Sequence, residues 1–162
     1  MKIILNQTIE IIKEAGEIIM NYYQSEYDIK LKGIGNPVTQ ADIETDTFLK
    51  IALTEAFPQY GWLSEETRDS PERQKKNCIW VVDPLDGTKE FVEGVPNFSI
   101  SIGLVKNGYP ILGVILNPVT NDLYTAYKNG GMKFNGNPTF LCQNYNFNIF
   151  PCSIWQRNST SY

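Results

Sequence analysis

The sequence predicts an α+β fold, two helices packed on a mainly antiparallel sheet, and three observations carry that expectation. An apolar stripe at helical spacing lies near the N-terminus, and a second helix opens on a capping signal at Thr39 and stops at Pro58. From Phe98 onward short apolar runs alternate with turn dipeptides, the pattern of successive strands.

Leu5, Ile9, Ile12, Gly16, Ile19 and Tyr23 step by four and three, with Lys13, Glu14 and Glu17 off the stripe, which predicts an amphipathic scaffold helix. In Asp28 to Lys32, Ile29 and Leu31 alternate with lysines and suit a short half-buried strand; Gly33-Ile34-Gly35-Asn36-Pro37 follows as a flexible loop. Thr39-Gln40-Ala41-Asp42 has the form of a capping box, Thr at the N-cap and an acid at N3, opening a helix to Phe57. Capping alone accounts for both residues, and a chemical role for Asp42 stays open beside it. Gly61-Trp62-Leu63 reads as a buried strand leading into Ser64-Glu65-Glu66; adjacent glutamates are ordinarily solvated surface, and their place at a strand end is what singles them out. Thr67 to Asn77 is a charged surface loop. Phe98 to Val105, Ile111 to Asn117 and Leu123 to Tyr127 are separated by Asn107-Gly108 and by Pro118 to Asp122, which predicts an antiparallel meander. Asn129-Gly130-Gly131 and Asn135-Gly136 turn around one more short strand, Met132 to Phe134. No internal repeat or long linker interrupts the chain.

At 162 residues, 42% of them hydrophobic, one domain with a real core is expected. A net charge of −4 without a basic run does not favour nucleic acid or an anionic membrane surface. Histidine is absent, which excludes Ser-His and Cys-His nucleophiles and His-based zinc sites. Cys78, Cys142 and Cys152 are too scattered for a disulfide framework or zinc cluster, and Cys78 is expected in the core beside a strand. Ile3-Ile4-Leu5 is too short for a signal core and no stretch reaches membrane-span length, so the expected compartment is the cytoplasm.

The most informative stretch is Trp80-Val81-Val82-Asp83-Pro84-Leu85-Asp86-Gly87-Thr88-Lys89-Glu90-Phe91. An apolar strand, Ile79 to Val82, ends in a carboxylate, and Pro84, with no N–H for a ladder, is expected to turn the backbone out of the sheet. Asp83 and Asp86 can then converge, where they repel and raise a pKa unless a cation lies between them. Gly87 permits close approach of backbone to a ligand, and Thr88 offers a hydroxyl and an N–H for an anion at the start of a helix or turn. Carboxylates next to an anion site suit magnesium bridging protein and phosphate. The competing reading is a polar turn after a strand.

Asp83-Pro84-Leu85-Asp86-Gly87-Thr88 after an apolar strand resembles the signature of the inositol monophosphatase superfamily of magnesium-dependent, lithium-sensitive phosphomonoesterases. Lys89-Glu90-Phe91 is more similar to its 3'(2'),5'-bisphosphate nucleotidase branch, and Asn36 to Asp42 resembles the family's Pro-Val-Thr-x-Ala-Asp segment. The resemblance runs from about Lys32 to about Pro138 and implies the N-terminal half of a layered αβαβα phosphatase fold. It assigns Glu65, Asp83 and the Leu85 carbonyl to one magnesium, with Asp83 and Asp86 shared with a second, and gives Glu66 a supporting role. Asp42 with Thr88 would align the attacking water, the N–H groups of Gly87 and Thr88 would hold phosphate, and the metal would acidify the water and offset phosphoryl charge. The implied substrate is a small phosphorylated molecule, an adenosine 3',5'-bisphosphate-like nucleotide first and an inositol or sugar monophosphate second.

The resemblance is expected to end near residue 139, dividing the chain into a family-like domain, 1–139, and a divergent tail, 140–162, loosely packed or frayed. Family members are longer, and a Trp-Asp segment in their second half completes the metal site. Here no Asp or Glu follows Asp122, and Trp155 is followed by Gln156. A truncated or frame-shifted family member without activity, binding magnesium weakly or serving as a partner module, is therefore the rival expectation, as is an authentic short paralogue. Loss of the second half would bare apolar sheet and favour instability or self-association, for instance as a homodimer.

Overall fold

A computed structural model describes residues 1–25, 29–33 and 36–139. Asp28, residues 34–35 of the expected loop and the whole 140–162 tail, with Cys142 and Cys152, lie outside the described residues. Helix α1 spans Lys2–Tyr22 and α2 spans Gln40–Ala56, with a hairpin of β1, Ile29–Gly33, and β2, Asn36–Thr39, between them. Asn36 and Pro37, expected in a loop, are thus paired: Pro37 faces Leu31 in this two-stranded sheet, where a missing N–H is tolerated.

The remaining strands are β3, Gly61–Ser64, β4, Cys78–Asp86, β5, Ser99–Lys106, β6, Tyr109–Asn117, β7, Asp122–Tyr127, β8, Gly131–Phe134, and β9, Asn137–Thr139. They form one sheet in chain order; β3 and β4 run parallel and every later pair is antiparallel. A third, one-turn helix, α3, Thr88–Val92, follows β4, and a 3₁₀ turn, Pro71–Lys75, lies in the exposed segment before it. Three helices and a mostly antiparallel mixed sheet make the α+β layering that the periodicities predict. Among the described residues no helix is long and apolar enough to cross a membrane.

The period-2 pattern sorts the sheet's faces. Trp80, Val82, Ile100, Ile102, Leu104, Leu112, Val114 and Leu116 are buried and form a core with Leu5, Ile12, Ala15 and Ile19 of α1 and Leu49 and Leu53 of α2. The approach is close at Gly16, where an added Cβ would lie 3.2 Å from Leu116 Cδ2 and 3.3 Å from Pro118 Cβ. The opposite face leaves Val81, Ile115 and Tyr124 more than a third exposed, at 37%, 42% and 42%. Cys78, at the start of β4, is partly buried against the core.

Strand β4 corrects one expectation. The chain does not leave the sheet at Pro84: Asp83 pairs with Ser101 and Asp86 with Ser99, so Pro84 and Leu85 together oppose Ile100 alone. This is a β-bulge, and it absorbs the proline's missing donor while the ladder resumes beyond it. Its geometric effect is decisive, because residues three apart on a regular strand point to opposite faces. The extra residue brings Asp83 and Asp86 to one face.

Candidate active site

Three local structures converge at the C-terminal ends of β3 and β4. The parallel register Gly61 to Ile79 through Ser64 to Val82 places the next residues, Glu65 and Asp83, side by side, and Glu65 N–H donates to Val82 O at 3.3 Å. The Asp83 and Glu65 carboxyl groups share a hydrogen bond, and Leu85 N–H donates to Asp83 Oδ1 at 3.2 Å. Burial first, then the charges of Glu65 and Asp86, push the Asp83 carboxyl up to about 7 against the Leu85 N–H. Asp86 is also raised, by burial and then by Glu65 and Glu90.

The second structure is the start of α2. Both halves of the predicted capping box form, and Asp42, 1% exposed, accepts on Oδ2 from Thr39 N–H at 2.7 Å and from Thr39 Oγ1 at 2.6 Å. Its other oxygen, Oδ1, lies 3.0 Å from Thr88 Oγ1. Capping and the contact with Thr88 therefore coexist on different oxygens of one carboxylate. Burial raises the Asp42 carboxyl, opposed by the hydrogen bonds from Thr39 and Thr88. Thr88 Oγ1 is also 3.0 Å from the Leu85 carbonyl oxygen. A hydroxyl carries one proton, so it can donate to one of these acceptors at a time.

The third is the β4–α3 corner. Gly87 has φ 93°, in the left-handed region, and a Cβ there would sit 2.8 Å from Asn97 O and 3.1 Å from Phe98 Cα. The close approach that demands glycine is thus to the protein's own Asn97-Phe98 backbone. A cleft of about 490 Å³ opens beside Asp86 and Gly87, with Glu90, Ser99, Asp122 and Tyr124 in its walls. Three carboxylates line it, so an anion placed there needs a cation.

The carboxylates pair rather than crowd: among the described residues no three Cys, Asp or Glu side chains are gathered closely enough to hold a metal ion together. The donor chemistry nonetheless fits a hard cation. Glu65 and Asp83 stand where their charges repel and a cation would neutralise them, and magnesium is commonly held by one or two carboxylates completed by water and phosphate. The Leu85 carbonyl, engaged by Thr88, keeps a second lone pair. Glu66 enters through its backbone, its N–H donating to Ser64 Oγ at 3.3 Å.

Asp46 was not singled out by the sequence, yet it is 5% exposed and accepts from the Ser64 and Thr67 hydroxyls that flank Glu65 and Glu66. Its spacing of four from Asp42, on the same face of α2, is the signal that could have found it.

The model of the inositol monophosphatase family matches residues 2–159. The chain is 39% identical over 130 residues to the 3'(2'),5'-bisphosphate nucleotidase CysQ of Aggregatibacter actinomycetemcomitans, covering 79% of this chain and 48% of that protein. It is 37% identical over 134 residues to the inositol-1-monophosphatase of Mesorhizobium japonicum, covering 82% of this chain and 50% of the relative. The crystal structure of the extragenic suppressor protein SuhB from Bartonella henselae superposes with a TM-score of 0.81 at 31% identity, over 86% of this chain and 54% of that one. The chain thus spans about half the length of the curated relatives it matches.

Proposed function

The chain belongs to the inositol monophosphatase family, and from that premise we propose that it carries the acid-rich half of a magnesium-dependent phosphomonoesterase site, with a 3'(2'),5'-bisphosphate nucleotide as preferred substrate. The observation that carries the reading is the pairing of Glu65 with Asp83 on parallel strands beside the Asp42–Thr88 contact. In the proposed assignment Glu65, Asp83 and the Leu85 carbonyl take one magnesium, and Asp83 and Asp86 border a second. Magnesium bound there supplies positive charge that acidifies a water and offsets charge on the phosphoryl oxygens.

The chain's own groups do the rest. Thr88 Oγ, oriented by Asp42 Oδ1 and Leu85 O, aligns the attacking water. Asp42 can hold a proton on Oδ1: that proton then bonds Thr88 Oγ, and the Thr88 proton turns to Leu85 O, so no buried oxygen is orphaned. The backbone N–H groups of Gly87 and Thr88 lie at the corner proposed for phosphate, and Glu66 supports Glu65. No histidine or covalent nucleophile is required, in keeping with a chain that has no histidine.

Lys89-Glu90-Phe91 and the CysQ relative favour the nucleotide. An inositol or sugar monophosphate is the second reading, favoured by the near-equal identity to an inositol-1-monophosphatase. Phosphate release from adenosine 3',5'-bisphosphate and inositol 1-phosphate, with magnesium and with or without lithium, tests both. Because no Asp or Glu follows Asp122, the 162-residue chain alone is expected to need high magnesium and to turn over slowly. Release that ignores magnesium would overturn the proposal.

A further inference from the structure

We infer that Asp46 is a positioning residue that fixes the Glu65–Glu66 turn and so holds Glu65 beside Asp83; the inference rests on the reading of those two residues as cation ligands. Glu65 is exposed, so packing does not set its place. The turn that carries it is instead tied at both flanks to one buried carboxylate. Asp46 Oδ1 accepts from Ser64 Oγ, Asp46 Oδ2 accepts from Thr67 Oγ1, and Ser64 Oγ accepts from Glu66 N–H at 3.3 Å. With the 3.3 Å bond from Glu65 N–H to Val82 O, every residue from Ser64 to Thr67 is anchored.

Asp46 lies in the interior of α2, where it caps nothing, and a carboxylate in that position lowers helix propensity and must be desolvated. Both costs are explained by the turn it clamps. Asp42, one helical turn earlier, holds Thr88 by the same kind of bond. One face of α2 therefore sets the spacing between the Glu65 turn and the Asp83–Thr88 segment, as outer partners do for metal ligands.

The test compares Asp46→Ala, Thr67→Val and Thr67→Ser by magnesium calorimetry and hydrogen exchange, well below the unfolding temperature, with Asp83→Asn as control. Asp46→Ala and Thr67→Val should each weaken magnesium about 10-fold. Both should also speed exchange at 64–67 while Leu49 and Leu53 of α2 stay protected; Thr67→Ser should match the parent. Thr67→Val, which keeps shape and removes only the hydroxyl, answers the question even if Asp46→Ala does not fold. Unchanged affinity in Thr67→Val with a clear loss in Asp83→Asn would overturn the Asp46 inference and leave the metal reading standing. Unchanged affinity in Asp83→Asn would overturn the metal reading, and the inference with it.

Discussion

Magnesium binding should depend steeply on pH across neutrality, because the cation must displace a proton from Asp83. That carboxyl sits at about 7, held there by burial and by Glu65 and Asp86. At pH 6 such a group is about nine-tenths protonated and at pH 8 about one-tenth, so apparent affinity should rise about 10-fold between them. The metal-free protein should show the opposite trend. A carboxyl raised above its ordinary value favours the protonated folded state, so its contribution is present below about pH 4 and is lost as pH rises through about 7. Adding magnesium should reverse that loss. Titration calorimetry in two buffers of different ionisation enthalpy reads the proton directly: close to one released per magnesium at pH 6, and little at pH 8. An affinity flat from pH 6 to pH 8 with no proton release would refute the assignment of Asp83 as a ligand.

Asp83→Asn should lower magnesium affinity by about one to two orders of magnitude, at least the cost of losing an outer partner, and Glu66→Gln by less; calorimetry showing the reverse order would move the site. Thr39→Ala should cost about 1 kcal/mol in urea unfolding, the usual value of an N-cap. Asp42→Asn should cost less stability and more of any phosphate release; if it unfolds the domain and spares specific activity, Asp42 is a cap alone. Gly87→Ala should destabilise by about 2 kcal/mol from its left-handed φ, with the contact to Asn97 O adding to it. A neutral result would show that the β4–α3 corner relaxes freely.

Much of the fold was legible because its signals are local. The Thr39–Asp42 box, the helix stop at Pro58 and the alternation through β5 and β6 each lie within a few residues of what they specify. What escaped was non-local. The parallel register that sets Glu65 against Asp83 joins strands separated by the 65–77 segment, and nothing in either strand announces its partner. Pro84 read as an exit because a proline that breaks a ladder and one absorbed in a bulge look alike until the strand beyond is seen to pair. Nothing local marks Asp46, since an acid inside a helix is ordinarily solvated. The need for glycine at position 87 is also set from a distance, by the Asn97 and Phe98 backbone that a Cβ there would meet.

The chain-order arrangement of the large sheet bears on how the protein is made. Each strand from β4 onward pairs with the one synthesised just before it, so the ladder can zip as the chain emerges, and from β5 onward it does so through short turns with little closure entropy. Helix α1 is the exception. It can lean on α2 early, but the groove that receives Gly16 is built by Leu116 and Pro118, roughly a hundred residues later. Until the ribosome has delivered β6, the stripe of α1 around Gly16 lacks the main part of its cover. A nascent chain stalled ahead of Leu116 should therefore be the species most dependent on chaperones and quickest to aggregate.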